Sequence, residues 1–169
     1  TSVSNEDRVA VTAAESSDVQ DFTLDVSTLA TREIVQSGQF ASGDALVSTG
    51  TGTMEINVGS ETYSIDYEAT TTLDDLKELI NKNASDGVTA SIVQINSGDF
   101  RLVLSAANMG EGQAISVTDV VGAGETLSAA LQPDPDAAED PTNLVDGMTS
   151  VQAAVNATFT YNGIAIERT

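Results

Sequence analysis

The chain has 169 residues, with 26 Asp and Glu against 6 Lys and Arg, and a formal net charge of −20. A surface this acidic repels phosphate backbones and anionic lipid, which argues against nucleic acid and membrane surfaces as partners, and with no Cys, His or Trp the chain cannot build Cys/His zinc sites, cysteine nucleophiles or Ser-His-Asp triads. Aromatics are only 4% of the residues, so the core must come from Val, Ile, Leu and Ala, a composition suited to a secreted or extracellular β-protein, and no apolar run approaches the ~20 residues that cross a bilayer.

The chain opens on Thr1 rather than Met and reads as a piece of a longer protein. Residues 1–21 are polar apart from "RVAVTA", where Val9 and Val11 suggest an edge strand or entry arm. "DFTLDVSTLA" then puts Phe22, Leu24 and Val26 on one face and Thr23 and Asp25 on the other. That period of two predicts a half-buried strand. "QSGQFASGDALVSTGTG" reads as a connection. In "TMEINVGSETYSIDY", Met54, Ile56 and Val58 alternate with polar neighbours, as do Tyr63, Ile65 and Tyr67. With "GSE" between the runs, the stretch predicts an antiparallel hairpin.

"TTTLDDLKELINKN" follows, the one clean amphipathic helix. Thr72 is a good N-cap, and Asp75 three positions on completes a capping-box pattern. Leu73, Leu76, Leu79 and Ile80 form one stripe, and a helix this short must dock on a sheet to persist. "NASDG" should end it, with Gly87 supplying a positive φ. Next come "VTASIVQI" and "DFRLVLSA", joined by the turn "NSGD", and then "AISVTDV" with Ile115 and Val117 on one face. The fold class is therefore α+β, mainly antiparallel β, with one short helix packed on a sheet. "LQPDPDAAEDPTN" holds all three prolines and reads as an exposed linker. A short helical pattern is expected at residues 151–155. In "ATFTYNGIAIERT", Asn162-Gly163 predicts a tight hairpin that sets Phe159 and Tyr161 across from Ile164 and Ile166.

The candidate chemistry is thin. Glycosidase carboxylate pairs normally sit beside aromatic platforms that this composition lacks. "DPDAAED", from Asp134 to Asp140, and "NSGD" offer oxygen ligands for calcium but have no recognised loop spacing. Gly50-Thr51-Gly52, Gly110-Glu111-Gly112 and Gly122-Ala123-Gly124 lack the strand-to-helix context of dinucleotide binding. Tyr63 and Tyr67 read as sheet residues, and Arg32 and Arg101 as members of surface ion pairs. The expectation is no catalytic residues, no cofactor-binding residues, no metal ligands and no enzyme activity.

The stretch "TMEINVGSETYSIDYEATTTLDDLKELINKNASDGVTASIVQINSGDFRLVLSAANMGEGQAISV" resembles the flagellin/hook IN module. The marks are the hairpin, the helix ending in Ile80-Asn81, then Gly87-Val88-Thr89-Ala90-Ser91, Arg101-Leu102-Val103-Leu104-Ser105, and Gly110. The flanks "FTLDVSTLA" and "NATFTYNGIAIERT" resemble the flagellar filament-capping family, hook-associated protein 2. The resemblance implies the central head of such a cap, outside the cell at the filament tip, self-associating and assisting flagellin assembly. Its implied partners are further copies of itself and flagellin, with hook–filament junction proteins and host glycan as further candidates. An adhesin or glycan-binding module and the outer domain of a flagellin are the alternatives. Two β-rich domains are expected, one inserted in the other. Residues 1–40 and 151–169 would form an outer domain incomplete at its C-terminal end. Residues 41–132 would form the inserted IN-type domain, and 133–150 an acidic, proline-containing connection.

Overall fold

A computed structural model describes residues 21–120, 127–132 and 147–169. Among the described residues there are ten strands: β1 (Leu24–Thr28), β2 (Ile34–Gln36), β3 (Gly52–Val58), β4 (Glu61–Tyr67), β5 (Val88–Asn96), β6 (Asp99–Ala106), β7 (Ile115–Val120), β8 (Thr149–Gln152), β9 (Ala157–Tyr161) and β10 (Ile164–Arg168). One α-helix, α1 (Leu73–Asn83), stands among them. The described strands make three antiparallel sheets, in the orders β4-β3-β7, β5-β6-β2-β8 and β1-β9-β10.

The α+β, mainly antiparallel class is borne out, but the helix does not lie on a single sheet. It packs against both β5 and β4 and so bridges the first two sheets. Leu73, Leu76 and Ile80 are fully buried between them, with Met54, Ile56, Ile65, Leu102 and Leu104. Leu79, the fourth residue of the predicted stripe, sits at the edge of this core. The capping box forms as expected. Thr72 Oγ1 accepts the Asp75 N–H at 3.2 Å, and Asp75 Oδ2 accepts the Thr72 N–H at 3.1 Å.

Three expectations are corrected. Gly87 is not among the residues with positive φ, and the helix closes instead when the Ala84 N–H donates to the Ile80 carbonyl at 2.8 Å. Glycine is needed at 87 for space, because a Cβ there would overlap the Tyr63 ring. Residues 149–152 are strand, not helix, because β2 offers β8 a free sheet edge with Ile34 opposite Gln152 and Gln36 opposite Thr149. Arg101 is no surface residue: it is 6% exposed, with Nε 3.0 Å from Asp99 Oδ1.

Strand β2 falls inside residues 1–40, a stretch expected to belong with the ends of the chain. It pairs with β6, Val35 opposite Leu104, in the sheet β5-β6-β2-β8. The connection after it is also structural: Phe40 bridges Phe100, and Val47 is fully buried. The arm at 1–20, the glycines 122 and 124, and the acidic stretch 134–140 lie outside the described residues.

Candidate functional site: an apolar sheet face and its junction

The third sheet is assembled from the two ends of the described chain. In β9–β10 the type I′-like turn takes positive φ at Asn162 (49°) and Gly163 (80°), as the Asn-Gly pair requires. The register sets Tyr161 opposite Ile164 and Phe159 opposite Ile166. Strand β1 adds on the other side, with Leu24 opposite Tyr161 and Val26 opposite Phe159. Asn162 fixes that register: its Oδ1 accepts the Thr23 N–H at 2.8 Å, and its own N–H donates to the Thr23 carbonyl at 2.9 Å.

Directly opposed residues share a face. One face of this sheet therefore carries Leu24, Val26, Phe159, Tyr161, Ile164 and Ile166, with Ala157 and Arg168 at its end, and the other carries Asp25, Thr158, Thr160 and Glu167. The Phe22 ring stacks on Tyr161 at a centroid distance of 5.4 Å. None of these apolar side chains joins the main core. Ile164 is 66% exposed, Tyr161 and Val26 41% each, and Phe22 39%. A largely apolar, partly exposed face, with Arg168 at its end, is the candidate interaction surface on a chain of net charge −20.

The sheet is tied to the rest of the protein by a polar junction. Thr31 and Val155 exchange backbone hydrogen bonds, and Thr31 Oγ1 donates to the Ala153 carbonyl at 2.7 Å. Beside them Glu33 is 7% exposed; its Oε1 accepts from Ser150 Oγ at 2.6 Å and its Oε2 from the Ala154 N–H at 2.7 Å. Asn156 Oδ1 accepts the Glu111 N–H at 2.8 Å, and its Nδ2 donates to Glu167. Glu33 gave no sequence signal, since a buried carboxylate held by a hydroxyl and a backbone N–H is spelled like any surface glutamate.

The residues nominated for chemistry do not converge. Tyr67 is a buried sheet residue whose hydroxyl donates to Asp119 Oδ1 at 2.6 Å, while Asp119 Oδ2 accepts the Leu127 N–H at 3.2 Å. Gly52 lets the Tyr67 hydroxyl approach the backbone. Arg32 donates to the Ala106 carbonyl at 3.4 Å. The "NSGD" stretch is the β5–β6 turn, with φ of 77° at Gly98. Among the described residues no group of three or more Asp and Glu is placed to hold a metal ion. One carboxyl is perturbed: the Thr72 hydroxyl and then the Thr72 N–H hold Asp75 below the usual aspartate value. That is helix capping rather than catalysis.

The residue that sequence reasoning undervalued is Asn81. Its Oδ1 accepts the Ala90 N–H at 2.8 Å and its Nδ2 donates to the Ala90 carbonyl at 2.9 Å. The side-chain amide thus takes the place of a neighbouring strand on the outer edge of β5. The Ile80-Asn81 pair couples a core anchor to an edge clamp.

Comparison with known proteins gives a consistent result. The model of the flagellin hook IN motif matches residues 53–108. A flagellar hook-associated protein 2 of Campylobacter jejuni is 26% identical over 194 residues, covering 99% of this chain and 30% of that protein. A B-type flagellar hook-associated protein 2 of Pseudomonas aeruginosa is 31% identical, covering 95% and 34%. The chain thus spans about a third of the length of these relatives. Among solved structures, the D2-D3 domains of the flagellar cap protein FliD from Escherichia coli superpose with a TM-score of 0.77 at 24% identity, covering 93% of this chain and 77% of that one. FliD from Pseudomonas aeruginosa gives 0.73 at 27% identity, covering 92% and 69%.

Proposed function

Because the chain belongs to the flagellar hook-associated protein 2 family, we propose that it forms the structural head of a bacterial filament cap, which self-associates at the filament tip and assists flagellin assembly. The observation that carries this reading is the extent of the likeness: it runs along 99% of the chain rather than over the IN motif alone. The site of action is extracellular, on the flagellum. The role is mechanical, with binding surfaces in place of a reaction centre, no cofactor and no metal.

Within the head, two bodies divide the work. The sheet β1-β9-β10 is the outer body, and the two sheets bridged by α1 are inserted into it. Sheet pairing supports a crossover at residues 29–33 and 152–156 rather than at 40 and 151, because β2 and β8 pair with the central sheet. The apolar face of the outer body is where further copies of the cap subunit pack.

Disruption of the gene for this chain is the direct test. It is expected to leave exported flagellin unpolymerised in the medium and cells without full filaments. Normal filaments from such cells would overturn the cap reading. Restoring the gene with Val26→Lys and Ile164→Lys tests the surface: the protein should fold and be exported, yet leave flagellin leaking. Full rescue would remove the apolar face from the assembly.

A further inference from the structure

Strand β5 ends its sheet, with β6 on one side and no strand on the other among the described residues. Both main-chain groups of Ala90 point to that open side, since Asn81 holds them. In an antiparallel pair the outward groups recur every second residue. Ile92 and Gln94, in regular register up to the irregularity between Gln94 and Asn96, therefore also direct N–H and C=O outward, beyond the reach of the Asn81 clamp. Natural edges are blunted by charged residues, proline or bulges, and the one ladder irregularity of β5 falls beyond Gln94. Here residues 88–98 contain no charged residue and no proline, in a chain with 26 acidic residues.

The open edge runs beside a groove of about 570 Å³, within the range of ligand sites. Ile92 and Phe100, both half-buried, line it with apolar surface, and Ser42, Asp44, Asp74 and Lys77 supply its polar groups. The Lys77 ammonium lies 3.0 Å from Asp74. Two carboxylates against one ammonium leave the groove net negative.

We propose that the open half of β5 takes up an extended segment of a partner protein as an added strand, with an apolar side chain over Ile92 and Phe100 and a basic side chain beside Asp44. Strand addition supplies main-chain hydrogen bonds, and the groove supplies selectivity for alternate side chains. Charge decides the occupant. A second copy of this chain also carries −20 and has only 6 basic residues to offer, whereas a basic extended segment is complementary. The inference does not depend on the cap reading.

The test uses the intact chain and three synthetic probes: acetyl-Thr-Val-Lys-Val-Thr-Thr-amide, the same peptide with Glu in place of Lys, and the Lys peptide N-methylated along one edge. The readout is exchange protection and NMR shift of the Ile92 and Gln94 amides. The Lys peptide should protect both in a saturable way, and about tenfold more tightly than the Glu peptide, the scale of exchanging one exposed ionic attraction for one repulsion. The N-methylated peptide should not bind. Asp44→Asn should weaken the Lys peptide by roughly fivefold and bring the Lys and Glu peptides closer. Ile92→Pro, which removes an outward N–H at an edge where proline is tolerated, should abolish binding with the circular-dichroism spectrum unchanged. Equal binding of the Lys and Glu peptides, or no protection at millimolar peptide, would overturn the proposal. So would protection that rises with protein concentration alone, which would assign the edge to a second copy.

Discussion

The central body and the terminal sheet are written in the same alternating code, yet they end in different states. Met54, Ile56, Ile65 and Leu104 are each at most 1% exposed. Their counterparts at the ends of the described chain, Val26, Tyr161 and Ile164, are all at least 41% exposed. The difference lies in what covers each face. In the centre, α1 and two sheets supply apolar surface to one another. At the terminal sheet, none of the apolar side chains joins that core, and Val26, Tyr161 and Ile164 stay exposed. Period-two alternation thus specifies a face but not its partner.

The largest test of this contrast is a matched pair. Leu76→Ala should cost about 2–5 kcal/mol, since it opens a cavity in a closed core. Ile164→Ala should cost under ~0.5 kcal/mol, as surface changes do. Urea titration measures both, and similar losses would show that the terminal face is covered in solution. Next is Asn81→Ala, which leaves two part-buried main-chain groups of Ala90 unpartnered, at about 1–3 kcal/mol. It should also accelerate exchange of the Ala90 amide; an unchanged rate would deny the clamp.

Gly87→Ala should cost roughly 1 kcal/mol or more, because overpacking against Tyr63 at about 1–3 kcal/mol outweighs the ~0.4–1 regained from a stiffer unfolded chain. A stabilised variant would show that the Tyr63 ring yields freely. The smallest central effect is expected at the cap. Thr72→Ala should cost about 1 kcal/mol near neutral pH. Asp75 has a lowered folded pKa, so its contribution is complete above the ordinary aspartate value and is lost as pH falls through the folded value. The gap between wild type and Thr72→Ala should therefore narrow in acid. A gap that widens below that range would refute the capping box as its source.

Much of the fold was legible because the signals were local. Thr72 with Asp75, Asn162 with Gly163, and the runs from Met54 to Val58 and Tyr63 to Tyr67 each carry their meaning within a few residues. What escaped depends on distant contacts. Ile34–Gln36 is too short to display a period, and its strand exists because β6 and β8 lie beside it. Residues 151–155 have a helical pattern, which the free edge of β2 overrides by supplying a ladder. Gly87 pointed to a helix end, but its requirement comes from a ring 24 positions earlier in the chain, Tyr63. The candidate surface was half legible. The alternation of Phe159, Tyr161, Ile164 and Ile166 announced one apolar face, while its exposure is visible only in three dimensions.

The stack of Phe22 on Tyr161 equips the molecule with its own optical reporter. The chain has three tyrosines and no tryptophan. Tyr63 and Tyr67 belong to β4, which leaves Tyr161 as the sole tyrosine of the terminal sheet. Clamped against a second ring at 5.4 Å, it sits in a fixed asymmetric setting and contributes its own near-ultraviolet circular dichroism. The difference spectrum between wild type and Tyr161→Phe isolates that band. Followed against temperature, it tells whether the two bodies melt together or the terminal sheet peels away first, with no label attached.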